Sequence, residues 1–302
     1  MTKYSIAAVC ALVLGSFGFA STSFAGDDET VSKETKAIQE TVKETCITGD
    51  LGVSFADKYL NGRALVLNSH GVSAQPYLDL YFKLYEGTGF INKITFNLGL
   101  WSDIASQTER PNATVRNWYE FDYTAGFTVT MEKNFSATLS YFEFDSPAGE
   151  FNTARSMNLN LAYNDSDALG PFALHPHVTI LAELPAPGEA ALAPGGWYFE
   201  PGIAPSYTFA KGSAYPVTLS VPVKVGLANE RLYDGEAFGY VSAGAQIAVP
   251  LAFVPSCYGT WLLTGGYTWY YVDRNLQKFE DSYVGDGRRN QNVFGGGIGL
   301  TF

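Results

Sequence analysis

Apolar and polar residues alternate with a period of two along most of the chain after about Asp50. The clearest segment is 75–84, and the segments 91–101 and 117–129 repeat its pattern. Successive side chains of a β-strand point to opposite sides, so a strand with one apolar face and one polar face produces this alternation. In the first segment, one parity holds Leu78, Leu80, Phe82 and Leu84, and the other holds Tyr77, Asp79, Tyr81 and Lys83. The pattern predicts an all-β protein.

The connections between these segments alternate between short and long, as in 86–90 followed by 103–116. Membrane β-barrels have this arrangement of short turns at one end and longer loops at the other. Strands cross hydrocarbon only as a closed barrel, because every backbone polar group must be paired. We therefore predict a closed antiparallel transmembrane β-barrel of about twelve strands, with ten to fourteen compatible and a soluble β-sandwich as the alternative. The predicted strands begin near Asp50, Ser73, Ile91, Asn117, Asn134, Ala154, Ala173, Trp197, Pro216, Ala237, Tyr258 and Gln291.

Large aromatic residues are frequent on the apolar parity. Such side chains suit the two lipid–water interfaces of a barrel wall, where an apolar ring meets polar headgroups. We assign to this outward parity Tyr119, Trp197, Phe199, Tyr207, Phe209, Trp261, Tyr267 and Trp269.

The N-terminus differs from the rest of the chain. Lys3 precedes the apolar segment 6–19, and Ser23-Phe24-Ala25 fits a small-x-small cleavage site, so residues 1–25 are predicted to be a secretory signal peptide. Residues 26–49 are polar, with apolar positions at helical spacing. They predict a short periplasmic helix or, alternatively, a plug in the barrel mouth. The barrel is predicted to span 50–302.

The chain ends in an alternating apolar strand that stops on an aromatic residue, with Phe294, Ile298, Leu300 and Phe302 on one parity. This strand resembles the C-terminal strand of bacterial outer-membrane β-barrel proteins. The stretches Tyr59…Gly62-Arg63 and Gln75-Pro76 resemble small porins of the Gram-negative outer membrane. The resemblance implies residence in that membrane, contact with its lipid, and recognition of these four C-terminal residues by the barrel assembly machinery.

The composition agrees with export and limits the partners and cofactors that the protein is expected to bind. The chain has 302 residues, a net charge of -11 and only 16% charged residues. An acidic protein is a poor partner for nucleic acid, which requires basic side chains to displace its counterions. With three histidines, no cofactor or metal is predicted, although His175 and His177 share a parity and leave a metal site as the weaker alternative.

Charged and polar residues concentrate on the parity opposite the apolar one. A charge facing lipid at the bilayer centre is costly, so this parity must face the barrel interior. We interpret it as the wall of a passive porin or small-solute channel, with a slight excess of acids that favours cations. The alternative is a non-conducting barrel filled by internal ion pairs, with a structural or surface-binding role carried by loops 185–196 and 273–289. The predicted lumen-lining residues are Tyr77, Asp79, Tyr81, Lys83, Lys93, Trp101, Glu120, Asp122, Glu183, Tyr198, Glu200, Lys224, Tyr240 and Gln246.

No enzymatic activity is predicted. The chain contains no GxSxG stretch. Ser69 and His70 are adjacent, and adjacent residues of a strand point apart, so they are not expected to form a nucleophile–base pair.

Two cysteines, Cys46 and Cys257, follow the predicted signal peptide. Both are expected on the periplasmic rim, where disulfides form readily. We predict a bridge between them, with two free thiols as the alternative.

Overall fold

The structure is a computed structural model that describes residues 46–107, 117–185, 196–229, 236–283 and 287–302. The predicted signal peptide and most of the polar segment 26–49 lie outside the described residues. None of the described helices is long and apolar enough to cross a membrane. The strands are β1 (Ile47–Ala56), β2 (Tyr59–Leu60), β3 (Val66–Asn68), β4 (Ser73–Glu86), β5 (Ile91–Ala105), β6 (Trp118–Met131), β7 (Phe135–Asp145), β8 (Ala154–Tyr163), β9 (His177–Leu184), β10 (Trp197–Ile203), β11 (Ser206–Phe209), β12 (Val217–Ser220), β13 (Val223–Ala228), β14 (Phe238–Pro250), β15 (Thr260–Val272) and β16 (Asn290–Thr301), and the helices are α1 (Ser166–Leu169) and α2 (Arg274–Tyr283).

All wall strands are antiparallel to their neighbours, and the last closes on the first. β1 pairs with β16 from Asp50↔Thr301 to Ala56↔Gly295. Beyond this ladder, Phe302 and Gly49 exchange two backbone hydrogen bonds of 2.9 Å. The predicted closed barrel of twelve strands is confirmed, with β10–β11 and β12–β13 each counting as one interrupted wall strand.

The two interruptions lie side by side and each contains a proline. Pro205 separates β10 from β11, and Pro222 separates β12 from β13. Proline has no backbone N–H, so neither residue can donate to the ladder. Their carbonyls are still used: Pro205 accepts from the Val221 N–H and Pro222 from the Gly244 N–H, both at 2.9 Å. The sheet therefore remains continuous through the break.

The two ends of the barrel differ in their connections. At one end, which we call the turn end, the strands are joined by 87–90, 132–134, 164–176, 210–216 and 251–259. At the other, the loop end, they are joined by 57–72, 106–117, 146–153, 185–196, 229–237 and 273–289. Segment 164–176, which contains α1, is longer than loop 146–153 and is the clearest exception to the predicted alternation.

The two faces of the wall differ as the alternation predicts. Outward apolar side chains remain exposed, including Phe127, Leu139 and Leu263 at 51%, 49% and 51%. The inward neighbours are small and polar in β7, where Ser136, Thr138 and Ser140 are buried. A soluble protein would bury its apolar parity, so an exposed apolar belt around a closed barrel indicates a lipid-facing wall.

One aromatic assignment from the sequence is wrong. The β5–β6 register shifts between Asp103 and Ile104, so that Glu120 and Trp118 face these two neighbours and Tyr119 is the extra residue. A β-bulge of this kind reverses the side on which a side chain emerges. Tyr119 is accordingly buried, with its ring 5.8 Å from that of Tyr59, and does not belong to the lipid-facing belt.

Candidate functional site: a hairpin inside the barrel

The first loop turns into the barrel and forms a small hairpin, β2–β3, which we call the lumen hairpin (residues 59–68). Its turn is organised by Asn61, whose side-chain oxygen accepts hydrogen bonds of 3.0 Å from the N–H groups of Arg63 and Leu65. Asparagine commonly stabilises turns in this way. Ala64 has a left-handed φ of 61° and donates its N–H to the Asn61 carbonyl at 2.9 Å. The local sequence therefore folds a compact turn without help from the wall.

Apolar side chains of the lumen hairpin pack against the barrel wall near the loop end. Leu60 and Val66 have no exposed surface. They belong to one cluster with wall residues from β1, β9, β10, β14, β15 and β16 and with Leu276 of α2. Burying aliphatic side chains contributes about 1.5–3 kcal/mol each, so this contact holds the hairpin in place. The buried wall members of the cluster are Ala56, Leu181, Tyr198, Tyr240, Tyr270, Val272 and Val293.

Polar contacts anchor the hairpin to the β5–β6 wall. The Tyr59 hydroxyl donates to Glu120 Oε2 at 2.5 Å, and the Tyr59 ring lies 5.5 Å from that of Trp101. Together with Tyr119, these rings form a second buried cluster. The hairpin is thus fixed at its base to the strands that follow it in the chain.

The tip of the hairpin reaches the opposite wall. Arg63 forms a salt bridge with Glu183, in which the two side chains are 10% and 1% exposed. The Tyr198 hydroxyl lies 3.1 Å from the Gly62 carbonyl oxygen. Breaking one partner out of a buried ion pair is strongly destabilising, so Arg63 is the main charged link between tip and wall. The hairpin consequently crosses the whole lumen.

Glu200 is the centre of a polar cluster beside the hairpin tip. Its carboxylate accepts from Tyr198 at 2.5 Å and from Tyr240, and Lys224 Nζ lies 3.1 Å from Glu200 Oε1. The position of His177 is set by Gly202, since a Cβ there would lie 2.6 Å from His177 Nε2. This part of the wall carries both signs of charge in paired form.

The wall formed by β1, β4, β5 and β6 carries carboxylates. Asp50 lies directly opposite Asp79, and Asp103 lies directly opposite Glu120. Asp122, the next inward residue of β6, is also buried. We call these five residues the acidic wall.

All fourteen predicted lumen-lining residues fall on the polar, largely buried parity, but they form several separate groups. Trp101 and Glu120 contact the lumen hairpin through Tyr59, and Glu183 binds it through Arg63. Lys83 lies near the turn end and pairs with Glu86 at 2.8 Å. The others are Tyr77, Asp79 and Tyr81 on β4, Lys93 on β5, Asp122 on β6, the cluster of Tyr198, Glu200, Lys224 and Tyr240, and Gln246 on β14.

The lumen hairpin was not predicted from the sequence. The available signal was Asn61-Gly62 between the apolar pairs Tyr59-Leu60 and Leu65-Val66. Such a dipeptide between apolar segments is a strong hairpin indicator. What the pattern lacks is any sign that the hairpin points inward.

The expectation that Ser69 and His70 point apart is also wrong. Ser69 Oγ lies 3.0 Å from His70 Nδ1. The two residues follow β3 and precede Gly71, whose φ is 78°, so they lie in a bend rather than a strand. This hydrogen bond is exposed to water, so it lacks the water-excluding surroundings that strengthen nucleophilic catalysis.

The predicted disulfide is absent: Cys46 and Cys257 are free, exposed thiols. Cys46 immediately precedes β1, and Cys257 lies in the turn before β15, so β16 separates the two positions. Neighbouring strands lie about 4.8 Å apart, which places residues two strands apart beyond the Cα–Cα limit of about 7 Å for a disulfide. Both cysteines lie at the turn end, as the predicted topology requires. The intervening strand β16 holds them too far apart for a bridge.

Neither a protein-family model nor a curated protein sequence matches the chain. Among solved structures, the β domain of the Bordetella autotransporter BrkA is 12% identical with a TM-score of 0.47, over 84% of this chain and 99% of that one. An outer-membrane channel of Pseudomonas putida F1 is 13% identical with a TM-score of 0.45, over 89% and 100%. Outer membrane phospholipase A of Escherichia coli is 10% identical with a TM-score of 0.41, over 88% and 94%. The likeness is one of barrel fold, and the resemblance to outer-membrane β-barrels is confirmed at that level by the twelve-stranded closed barrel.

Proposed function

We propose that this protein is an outer-membrane channel for small solutes whose loop end is narrowed by the lumen hairpin. The supporting observation is the difference between the two halves of the interior. Near the loop end the hairpin residues Leu60 and Val66 are completely buried. Towards the turn end, Asp79, Asn160 and Gln246 on the polar parity remain partly exposed, so solvent-sized space adjoins them. A polar, partly hydrated interior suits passage of water-soluble molecules.

The proposal includes the location and the assembly route. The exposed apolar belt fits contact with outer-membrane lipid, and the loop end would face outwards with the turn end in the periplasm. The proposal also includes export through a signal peptide at residues 1–25. The barrel assembly machinery would then recognise Phe294, Ile298, Leu300 and Phe302. No catalytic step is part of this proposal.

A non-conducting structural or surface-binding barrel is the second candidate. It is favoured by the packing of the lumen hairpin, since Leu60 and Val66 join a continuous apolar cluster with the wall and α2. A hairpin held this firmly would close the barrel to solutes. The two candidates therefore differ in one measurable property, which is ion conductance.

Conductance of the purified full chain in a planar lipid bilayer tests the proposal. We expect the unaltered protein to form small, discrete conductance steps. Arg63→Ala removes the ion pair with Glu183 and should enlarge the steps several-fold. Tyr59→Phe, made as a separate variant, removes the hydrogen bond to Glu120 and should also enlarge them. If one variant does not fold, as judged by its heat-dependent mobility on gels, the other provides the same comparison.

Arg155→Ala is the matched control. It removes an Arg–Glu pair of similar geometry, with Arg155 Nε 2.9 Å from Glu143 Oε2, but this pair lies on the outward parity of β7 and β8. Its conductance should equal that of the unaltered protein. Folded barrels that carry no current, with or without the two hairpin substitutions, would favour the non-conducting candidate.

A further inference from the structure

The charges of the barrel interior are unevenly distributed. The acidic wall places five carboxylates on four neighbouring strands, β1, β4, β5 and β6. Within each cross-strand pair, Asp50 with Asp79 and Asp103 with Glu120, the two acids are direct neighbours. Like charges placed directly opposite each other in a sheet are destabilising, so a cation near either pair would stabilise it.

Within the described ranges, no salt bridge supplies such a cation. On the opposite wall each acid has a basic partner: Glu183 pairs with Arg63, and Glu200 pairs with Lys224. Among the residues that the structure describes, no member of the acidic wall forms a salt bridge. The two walls therefore differ, because the acids of one wall are held in salt bridges and those of the acidic wall are not.

Two carboxylate oxygens of the acidic wall also lack a hydrogen-bond partner. They are Asp103 Oδ2 and Asp122 Oδ1, and the residues are 0% and 5% exposed. A buried carboxylate oxygen without a partner is costly, and natural proteins accept this cost mainly at functional positions. Both oxygens are closed to solvent, so they act on a passing cation through their charge rather than by contact.

The side chains between the carboxylates suit a passing cation as well. Tyr77 and Tyr81 flank Asp79 on the same face of β4. Aromatic ring faces attract cations through their quadrupole. Gly99 of β5 lies beside Asp79, and a Cβ at Gly99 would lie 2.6 Å from Asp79 Oδ1. Because glycine has no side chain, no side chain of β5 covers this carboxylate.

We propose that the acidic wall makes the channel selective for cations, which pass along the partly exposed Asp79 and the neighbouring inner face of β1, β4 and β5. This inference rests on the proposed channel function and names the class of solute that it carries. Carboxylates lining a narrow passage raise the local concentration of cations and exclude anions from it. The paired charges around Glu183 and Glu200 contribute little to this field.

The reversal potential of the full chain in a planar bilayer, under a tenfold gradient of KCl, measures the selectivity. We expect potassium to be several-fold more permeant than chloride. The double variants Asp50→Asn/Asp79→Asn and Asp103→Asn/Asp122→Asn should each lower the permeability ratio about twofold or more, because each removes two neighbouring carboxylates. Two separate double variants are used so that, if one does not fold, the other still tests the permeability ratio.

Glu143→Gln is the matched control. It removes one carboxylate of the neighbouring strand β7, but Glu143 lies opposite Tyr123 on the outward parity and pairs with Arg155 at 2.9 Å. Its permeability ratio should equal that of the unaltered protein. A channel that prefers chloride, or a ratio that both double variants leave unchanged, would overturn the inference. A barrel without conductance, even with Arg63→Ala, would contradict the channel function itself.

Discussion

At the scale of single residues, Asp165 shows how one side chain organises an entire turn. It follows β8 in the turn-end connection 164–176, where its carboxylate accepts the N–H groups of Leu174 at 3.0 Å and His175 at 2.9 Å. His175 has a left-handed φ of 49°, and the hydrogen bond holds it in this unfavourable conformation. Burial opposes ionisation, but these two N–H donors hold the pKa of Asp165 below its ordinary value.

We predict that Asp165→Ala lowers the free energy of unfolding by about 1 kcal/mol at neutral pH, because two charge-assisted hydrogen bonds are lost. A lowered pKa means that this stabilisation is present above the ordinary value of 3.8 and disappears as the pH falls through the lower pKa of the folded barrel. Urea unfolding in detergent micelles, at neutral and strongly acidic pH, measures both effects.

Asp165→Asn is the control for this prediction. Its side-chain oxygen still accepts one hydrogen bond but carries no charge, so its stability deficit should be smaller and independent of pH. An Asp165→Ala deficit that persists unchanged in strong acid would show that the carboxylate charge plays no part in the turn.

At the scale of elements, the proline interruptions leave β11 with fewer partners than any long wall strand. In the described part of the chain β11 pairs only with β12, because β9 begins at His177 and reaches no further than Gly202 of β10. The neighbouring turn supplies one contact, from the Ala204 N–H to the Leu174 carbonyl at 2.8 Å. An edge of this kind is a local weakness in a sheet.

We predict that the amides of Ser206–Phe209 exchange with deuterium about tenfold faster than those of β15, which is paired on both sides. Hydrogen–deuterium exchange of the folded barrel in lipid nanodiscs, followed by mass spectrometry, makes the comparison within one sample. β12, which pairs with both β11 and β14, serves as the internal reference. Equal protection of β11 and β15 would mean that the turn 164–176 replaces a strand completely.

Elements also mark the limit of what the sequence could predict. The wall strands were predictable because a pleated strand with lipid on one side and polar groups on the other must alternate with period two. The inward position of Tyr119 was not predictable, because a β-bulge inserts one residue into a strand without a recognisable change in the residue types. The inward course of the lumen hairpin depends on Glu183 and Tyr198, more than a hundred positions later, and on shape that no local pattern encodes.

At the scale of the whole molecule, Phe302 extends the pairing that closes the barrel. It directly follows β16, and its backbone is bonded in both directions to Gly49 at 2.9 Å. Its ring lies over the same glycine, since a Cβ at Gly49 would come within 2.6 Å of Phe302 Cζ. The ring is nonetheless 47% exposed on the outer face, so much of it is accessible to another molecule before the barrel is in the membrane.

We predict that Phe302→Ala lowers the amount of folded barrel in cells several-fold while changing refolding of the purified chain in detergent much less. The backbone bonds to Gly49 survive the substitution, so the barrel can still close, but the aromatic ring expected to be read during assembly is removed. Phe127→Ala is the matched control, because Phe127 is an outward aromatic of similar exposure, 51%, in the middle of β6. If both substitutions reduce the cellular level equally, Phe302 acts only as one more lipid-facing side chain, and if Phe302→Ala also prevents refolding in detergent, its contribution is to the closed barrel rather than to recognition.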